Sequence, residues 1–438
     1  MLTRVLIANR GEIAVRILRA CQEMGLETVA IYSKADSQLP YIAAADDAVC
    51  VGAANVADSY LNIANILMAA KTSGCDAIHP GYGFLAESAD FARRIETAGL
   101  TFIGPSADVI ELMGDKFSAK QFMRDCGVPS MPGSSEILAD GDDYLSLAEE
   151  IGFPVILKAV SGGGGRGMRI VDSPRNMVNE VAMAQSEAAA YFGDGRVYLE
   201  KYLQGPRHVE VQILADGKGG VVHLGDRDCS IQRRYQKLLE EAPAPDISVA
   251  DRTQLAEKCV AASLEMGYRG AGTFEFMYAD GSFYFIEMNT RIQVEHPVTE
   301  MVTGVDLVKQ QLRVAAGEEL QFTQSDIAVK GHAIECRINA EDAAFNPVPG
   351  TITSYQPAGG FGVRIDTHIY AGCQVSHHYD SLISKLICHG SDRVEAIARM
   401  KRALRETVIG GLETNIPLHQ KITDDAQYAA GAVDVSYL

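Results

Sequence analysis

The sequence predicts a multidomain fold, α/β at its start and α+β beyond, and three observations carry that reading. Short apolar strands alternate with helical patterns through residues 1–112. A glycine run, Ser161-Gly-Gly-Gly-Gly-Arg-Gly167, lies between two strand-like segments. An aromatic alternating pattern over residues 273–289 then marks a hairpin in a strand-rich remainder. A chain of 438 residues is long enough for roughly two to four such units, each with its own core.

Taken in order, residues 5–8 form an apolar strand, and Ile13, Ile17, Leu18 and Cys21 follow at helical spacing. Residues 28–32, 76–79 and 101–104 read as further strands. Strands separated by helices imply a parallel sheet, here Rossmann-like, over 1–112. The turn Asn9-Arg10-Gly11-Glu12 lacks the glycine pattern of dinucleotide sites, so the sheet need not bind a dinucleotide. Residues 113–130 read as a helical linker, 131–203 as a small α+β unit, and 204–438 as a large strand-rich unit.

Composition excludes several classes of partner. Lys plus Arg is 39 and Asp plus Glu is 57, a net charge of −18. That argues against nucleic acid or an anionic membrane as the main partner. No apolar run approaches the ~20 residues that span a bilayer, and Arg4, Arg10 and Glu12 break any secretory pattern. Nine scattered cysteines with no Cys-x-x-Cys pair suggest reduced thiols and a cytoplasmic protein.

The glycine run matches a dinucleotide spacing, but a strand follows it where that motif needs a helix. Glycines between two strands instead suit a flap over nucleotide phosphates, with Lys158 as a nearby cation. In the hairpin, a three-residue loop at Asp280, Gly281 and Ser282 pairs Glu275 with Glu287 and Thr273 with Asn289. Phe274, Phe276, Tyr278, Tyr284, Ile286 and Met288 then share the core face. Two opposed carboxylates and an amide oxygen suit Mg²⁺ or Mn²⁺. Alternation groups His208, Glu210 and Gln212 on one strand face, and Glu335, Arg337 and Asn339 on another. Arg291, Gln293 and Glu295 continue the parity of Glu287 and Asn289 if the backbone stays extended. Singly, each face also reads as the wet side of an antiparallel sheet.

The chain resembles biotin carboxylase, a family of ATP-grasp enzymes, from end to end. The resemblance rests on Ile7-Ala-Asn-Arg-Gly-Glu-Ile-Ala14, His79-Pro-Gly-Tyr-Gly-Phe84, Met113-Gly-Asp-Lys116, the segment 162–168, Glu287-Met-Asn-Thr-Arg-Ile-Gln-Val-Glu-His-Pro-Val-Thr-Glu300, and His332-Ala-Ile-Glu-Cys-Arg-Ile-Asn-Ala-Glu341. It implies an ATP-grasp fold whose mobile lid is the 131–203 unit. It implies ATP contacts from Lys116, Lys158, His208 and Gln232, with Gly164, Gly165 and Arg166 in the lid. Glu200, Lys201 and Leu203 would hold adenine. Glu275, Glu287 and Asn289 would hold the divalent ions. Lys237, Arg291 and the Val294 backbone would bind bicarbonate, Glu295 would be the general base, and Tyr82 and Arg337 would face biotin. Tyr235 departs from a His found in several members.

The biotin-attachment signature is absent, and Met400-Lys401-Arg402 falls in a helical pattern. The resemblance therefore implies biotin carried by a separate biotin carboxyl carrier protein, with carboxyltransferase subunits as further partners, as in bacterial acetyl-CoA carboxylase. It also implies a homodimer joined around Arg16, Arg19, Glu23, Phe361 and Arg364. Competing expectations are the same half-reaction serving pyruvate or another acyl-CoA, a carboxylate–amine ligase, and a nucleotide sensor without turnover.

Overall fold

The structure, a computed structural model, describes residues 2–134, 143–160 and 167–438. Five parallel strands open the chain, in the order Asp47–Gly52, Glu27–Ser33, Arg4–Ile7, Ala77–His79, Thr101–Phe102. Both faces are covered, as a parallel sheet requires. Leu6, Val29, Ile31 and Ile78 enter one core, while Val5, Ile7, Ala30 and Ala77 enter another with Ile13 and Ile17 of helix Gly11–Glu23. The strand Asp47–Gly52 was not foreseen; its half-exposed residues give little alternation. At the carboxyl ends of the central strands, Asn9 Nδ2 donates to the carbonyls of Pro80 (2.8 Å) and Tyr82 (2.7 Å). Gly81 has φ +64°, and a Cβ there would come within 2.8 Å of Asn9 Nδ2, so only glycine lets the two loops lie together.

Eight antiparallel strands form the large sheet, in the order Ser282–Asn289, Arg269–Ala279, Arg207–Asp216, Val221–Arg233, Gln236–Ala242, His332–Asn339, Leu382–Gly390, Val363–Thr367. Val209, Val211 and Ile213 pack with Phe274, Phe276, Phe283, Phe285 and Met288 on one side. Alternation sends His208, Glu210, Gln212, Thr273 and Glu275 to the other. They do not meet solvent: all five are buried. A third sheet, Met168–Val171, Val155–Ala159 and Val197–Lys201, carries helix Met177–Phe192. No helix among the described residues is long and apolar enough to cross a membrane.

The hairpin requires a correction. Its loop has two residues, not three: Ala279 pairs with Ser282 across Asp280 and Gly281, whose φ values are +50° and +76°. Two positive φ angles match the right-handed twist of the flanking strands. The register then shifts by one between the pairs Phe276–Phe285 and Glu275–Glu287, leaving Ile286 as the extra residue of a β-bulge. The bulge restores the expected pairs, Glu275 with Glu287 and Thr273 with Asn289. Before it, parity is that of a two-residue loop. So Phe283 and Phe285 occupy the core, whereas Tyr284 and Ile286 stay half-buried.

Candidate active site

Between the parallel sheet and the polar face of the large sheet lies a cavity of about 770 Å³. Tyr82, His208, Lys237, Glu275, Glu287, Asn289, Arg291, Val294, Glu295 and Arg337 all line it. These residues come from segments far apart in the chain, so the fold assembles them. The backbone does not stay extended beyond Asn289. It turns through 290–295 into helix His296–Thr303 and still brings Arg291, Gln293 and Glu295 to the same cavity.

The floor is a network of alternating charge. Lys237 Nζ donates to Glu210 Oε2 (2.6 Å), Glu275 Oε1 (2.8 Å) and Glu295 Oε1 (2.7 Å). Arg337 Nη2 donates to the second oxygen of Glu295 (3.1 Å), and its Nε to Glu240 (2.5 Å). Asn289 Nδ2 and Gln293 Nε2 donate to Glu275 Oε1 at 2.8 and 2.7 Å. His208 Nε2 lies 3.1 Å from Glu275 Oε2. Arg291 bonds Glu87 (2.8 Å) and Asn289 Oδ1 (2.7 Å).

This geometry sets the protonation states. Burial alone would push the Glu295 carboxyl up, but Lys237, Arg337 and Arg227 together hold it well below the usual range. Glu275 is held low in the same way by Lys237 and His208. Burial would lower Lys237, yet Glu210, Glu275 and Glu295 raise it, so it stays an ammonium ion. Burial raises Glu240 to about 7 despite Arg337.

The remaining expected residues are distributed around that cavity rather than on its floor. Lys158 Nζ donates to Glu200 Oε2 (2.6 Å) on the three-stranded sheet, and Lys120 meets the other oxygen of Glu200. Lys116 is 3.7 Å from Glu287, which lines the cavity. Lys201 is turned to the carbonyls of Gly152 (2.8 Å) and Phe153 (3.0 Å). Leu203 is half-buried, and Gln232 is buried beside Cys229 on the strand paired with Lys237. Gly164, Gly165 and Arg166 lie outside the described residues. Tyr235 is exposed at the cavity mouth, in a turn with φ +67°.

Glu275, Glu287 and Asn289 line one cavity, the two carboxylates from directly paired positions, and hard oxygen donors of this kind suit Mg²⁺ or Mn²⁺. Glu275 is paired here with Lys237 and His208, and Asn289 Oδ1 with Arg291, so a cation would have to displace those contacts. Among the described residues Glu287 has only Lys116 as an ionic partner, at 3.7 Å, which leaves its carboxylate able to accept a cation.

Sequence reasoning missed several participants. Arg227 is fully buried and bonds Glu210 (2.5 Å), Gln212 (2.7 Å), Thr299 (2.8 Å), Gln293 (2.6 Å) and Thr273 (3.3 Å). It is the hub beneath the floor. Flanked by Asp226 and Asp228 in a strand that carries several polar residues, it gave no local signal of its role. Glu87, Lys120, Glu240 and Lys385 are defined only by distant partners.

Three family models cover the chain in succession. The one described as biotin carboxylase, N-terminal domain, matches residues 1–110; carbamoyl-phosphate synthase L chain, ATP binding domain, matches 115–323; and biotin carboxylase C-terminal domain matches 335–438. The chain is 56% identical over 440 residues to a biotin carboxylase of Pseudomonas aeruginosa, covering 100% of this chain and 98% of that one. It is 51% identical over 440 residues to a pyruvate carboxylase subunit of Methanothermobacter thermautotrophicus, covering 100% and 90%. A Campylobacter jejuni biotin carboxylase–β-γ-ATP complex superposes with a TM-score of 0.95 at 48% identity, covering 100% and 98%. The biotin carboxylase domain dimer of Hydrogenobacter thermophilus 2-oxoglutarate carboxylase, in complex with MgADP, ADP and bicarbonate, gives 0.93 at 49% identity, covering 100% and 97%.

Proposed function

The chain belongs to the biotin carboxylase family of ATP-grasp enzymes, and from that premise we propose how its residues carboxylate biotin with ATP and bicarbonate. The observation that carries the reading is Glu295, buried and bracketed by Lys237 on one oxygen and Arg337 on the other. Lys237, Arg291 and the Val294 backbone bind bicarbonate, and Glu295 takes its proton. A carboxylate held so low is a weak base until an anion enters beside it. Bicarbonate competes for Lys237 and Arg291, and its own charge raises the proton affinity of Glu295 toward the range a general base needs.

Deprotonated bicarbonate attacks the γ-phosphoryl group of ATP, giving carboxyphosphate and ADP. Positioning and charge neutralisation supply most of the rate for such transfers. Lys116, Lys158, His208 and Gln232 contact the nucleotide, Glu200, Lys201 and Leu203 hold its base, and Gly164, Gly165 and Arg166 cover its phosphates. Glu275, Glu287 and Asn289 hold Mg²⁺ or Mn²⁺, which neutralises phosphate charge when bound. Carboxyphosphate releases CO₂ and a strongly basic phosphate, and that phosphate takes the N1′ proton of biotin. Arg337, always protonated, stabilises the resulting anion, and the anion attacks the CO₂, with Tyr82 beside biotin.

We further assign residues 1–112 to a Rossmann-like unit, 113–130 to a linker, 131–203 to the lid and 204–438 to the remainder of the ATP-grasp and C-terminal units. Biotin arrives on a separate carrier protein, and transferase subunits complete a cytoplasmic acetyl-CoA carboxylase serving fatty acid synthesis. Relatives of similar length named biotin carboxylase favour that setting. A pyruvate-carboxylating complex is the second reading, favoured by the Methanothermobacter relative. A homodimer is supported by Phe361, 88% exposed, and by Arg16, Arg19, Glu23 and Arg364 lining one shallow surface cavity. ATP hydrolysis that requires bicarbonate and rises with free biotin is the expected result. Amine-dependent turnover would instead select a general ligase, and no turnover a sensor. Reconstitution with carrier and transferase subunits identifies the acyl acceptor.

A further inference from the structure

Lys385 sits on strand Leu382–Gly390, directly paired with Arg337 on the neighbouring strand. Its side chain is fully buried. Its Nζ donates to the Val294 carbonyl oxygen at 2.8 Å and lies 3.1 Å from Glu12 Oε1. Glu12, buried in the first turn of helix Gly11–Glu23, also accepts the Tyr82 hydroxyl proton. One ammonium group thus ties the 293–295 turn to the loop and helix at the end of the parallel sheet. A buried charge is costly unless paired. Here Glu12, Glu335 and Asp366 favour it and Arg364 opposes it.

We infer that Lys385 is a positioning residue for the bicarbonate subsite, acting through the Val294–Glu295 peptide. The inference rests on the subsite assigned above. A peptide unit is planar, so a donor fixed on the Val294 carbonyl fixes the plane that leads into Glu295. Rotation of that plane would swing the Val294 N–H through its ψ angle and the Glu295 carboxylate through its φ angle. The turn lies between strand Ser282–Asn289 and helix His296–Thr303, outside the sheet ladder. Lys385 supplies a constraint the ladder does not, and through Glu12 and Tyr82 it references that constraint to the far wall of the cavity.

A purely structural alternative is that Lys385 only neutralises Glu12. Two variants separate the readings. Lys385→Met removes the donor, and Glu12→Gln/Lys385→Met removes acid and base together, which spares the core an unpaired carboxylate. Bicarbonate KM should rise about tenfold or more in both, since misplacement of a reacting group by about 1 Å costs up to two orders of magnitude. ATP affinity measured without bicarbonate should stay within about twofold, because uniform nucleotide binding is untouched. The double variant should recover melting temperature but not bicarbonate KM. The inference is overturned if either folded variant keeps wild-type bicarbonate KM, or if the double variant recovers KM and melting temperature together. Wild-type ATP hydrolysis that ignores bicarbonate would instead sink the assignment of the subsite itself.

Discussion

The floor around Lys237 and the group around Glu200 are both built from lysine and glutamate, yet they are held in different ways. Lys237 is wedged among three carboxylates from three different segments, and Arg227 braces that set from beneath. The lysines at Glu200 come from the three-stranded sheet and from helix Lys116–Asp125, and the link from Lys116 to Glu287 is longer, at 3.7 Å, with 43% and 39% of those side chains exposed. Bicarbonate is small and offers few atoms to grip, so its subsite must be rigid before it arrives. A nucleotide triphosphate carries enough charge to organise mobile cations around itself. On the proposed assignment of the two groups, preorganisation is concentrated where the ligand can contribute least to it.

Glu295→Gln tests that contrast most severely. Bicarbonate-dependent ATP hydrolysis should fall by about 10²- to 10⁴-fold, the usual cost of a positioned base. ADP binding by calorimetry should be little changed, because the nucleotide group does not depend on it. Wild-type turnover in the variant would end the assignment of Glu295.

Arg227→Met asks whether the floor is braced as a unit. The change removes the arginine that bonds buried Glu210 from beneath. Loss of one member of a buried pair costs about 3–5 kcal/mol, to be read from denaturant titration. A change under about 1 kcal/mol, on the order of an exposed pair, would mean that the floor is no better braced than the nucleotide side.

Lys116→Ala probes the looser side. Its half-exposed pair with Glu287 should contribute no more than about 1 kcal/mol to folding, so melting should barely move. ATP affinity should fall roughly tenfold, in line with loss of one charge-assisted hydrogen bond. A large melting shift with unchanged affinity would reverse the contrast.

Much of the floor was legible in the sequence because strand parity is a local signal. Residues 208–213 and 335–339 separate by alternation alone, and the pairing of Glu275 with Glu287 follows from requiring a polar and an apolar face. The route to that pairing was not legible. A two-residue turn with a bulge at Ile286 gives the same outer register as a three-residue loop, and only the burial of Phe283 and Phe285 tells them apart. Nor could the sequence show that the polar faces are buried. That depends on Arg227 and on Lys385 meeting Glu12, a contact across nearly the whole chain. Long-range pairing of single charges leaves no periodicity behind, whereas a strand face does.

Glu335→Gln should have the smallest effect at neutral pH, and its pH dependence sharpens the comparison furthest. Glu335 pairs across strands with Glu240 and is fully buried, and among the described residues neither of its oxygens has a hydrogen-bond partner. Burial pushes its carboxyl well above the usual range, reinforced by Glu240 and Glu295 and only partly offset by Lys385 and Arg337. The floor's cations are taken by Glu210, Glu275, Glu295 and Glu240, and burial favours the neutral form of Glu335 beside them. In the unfolded chain it titrates near about 4.3. Between that value and its raised folded value the native state binds the extra proton, so its contribution is complete at low pH and is lost as pH rises. Glutamine cannot ionise and removes that slope. The melting temperature of Glu335→Gln relative to wild type should therefore climb from about pH 5 to about pH 8, with bicarbonate-dependent turnover near pH 7 within about twofold. Parallel melting curves across that range would mean that Glu335 is ionised and paired, and that the floor holds one more charge than its geometry accounts for.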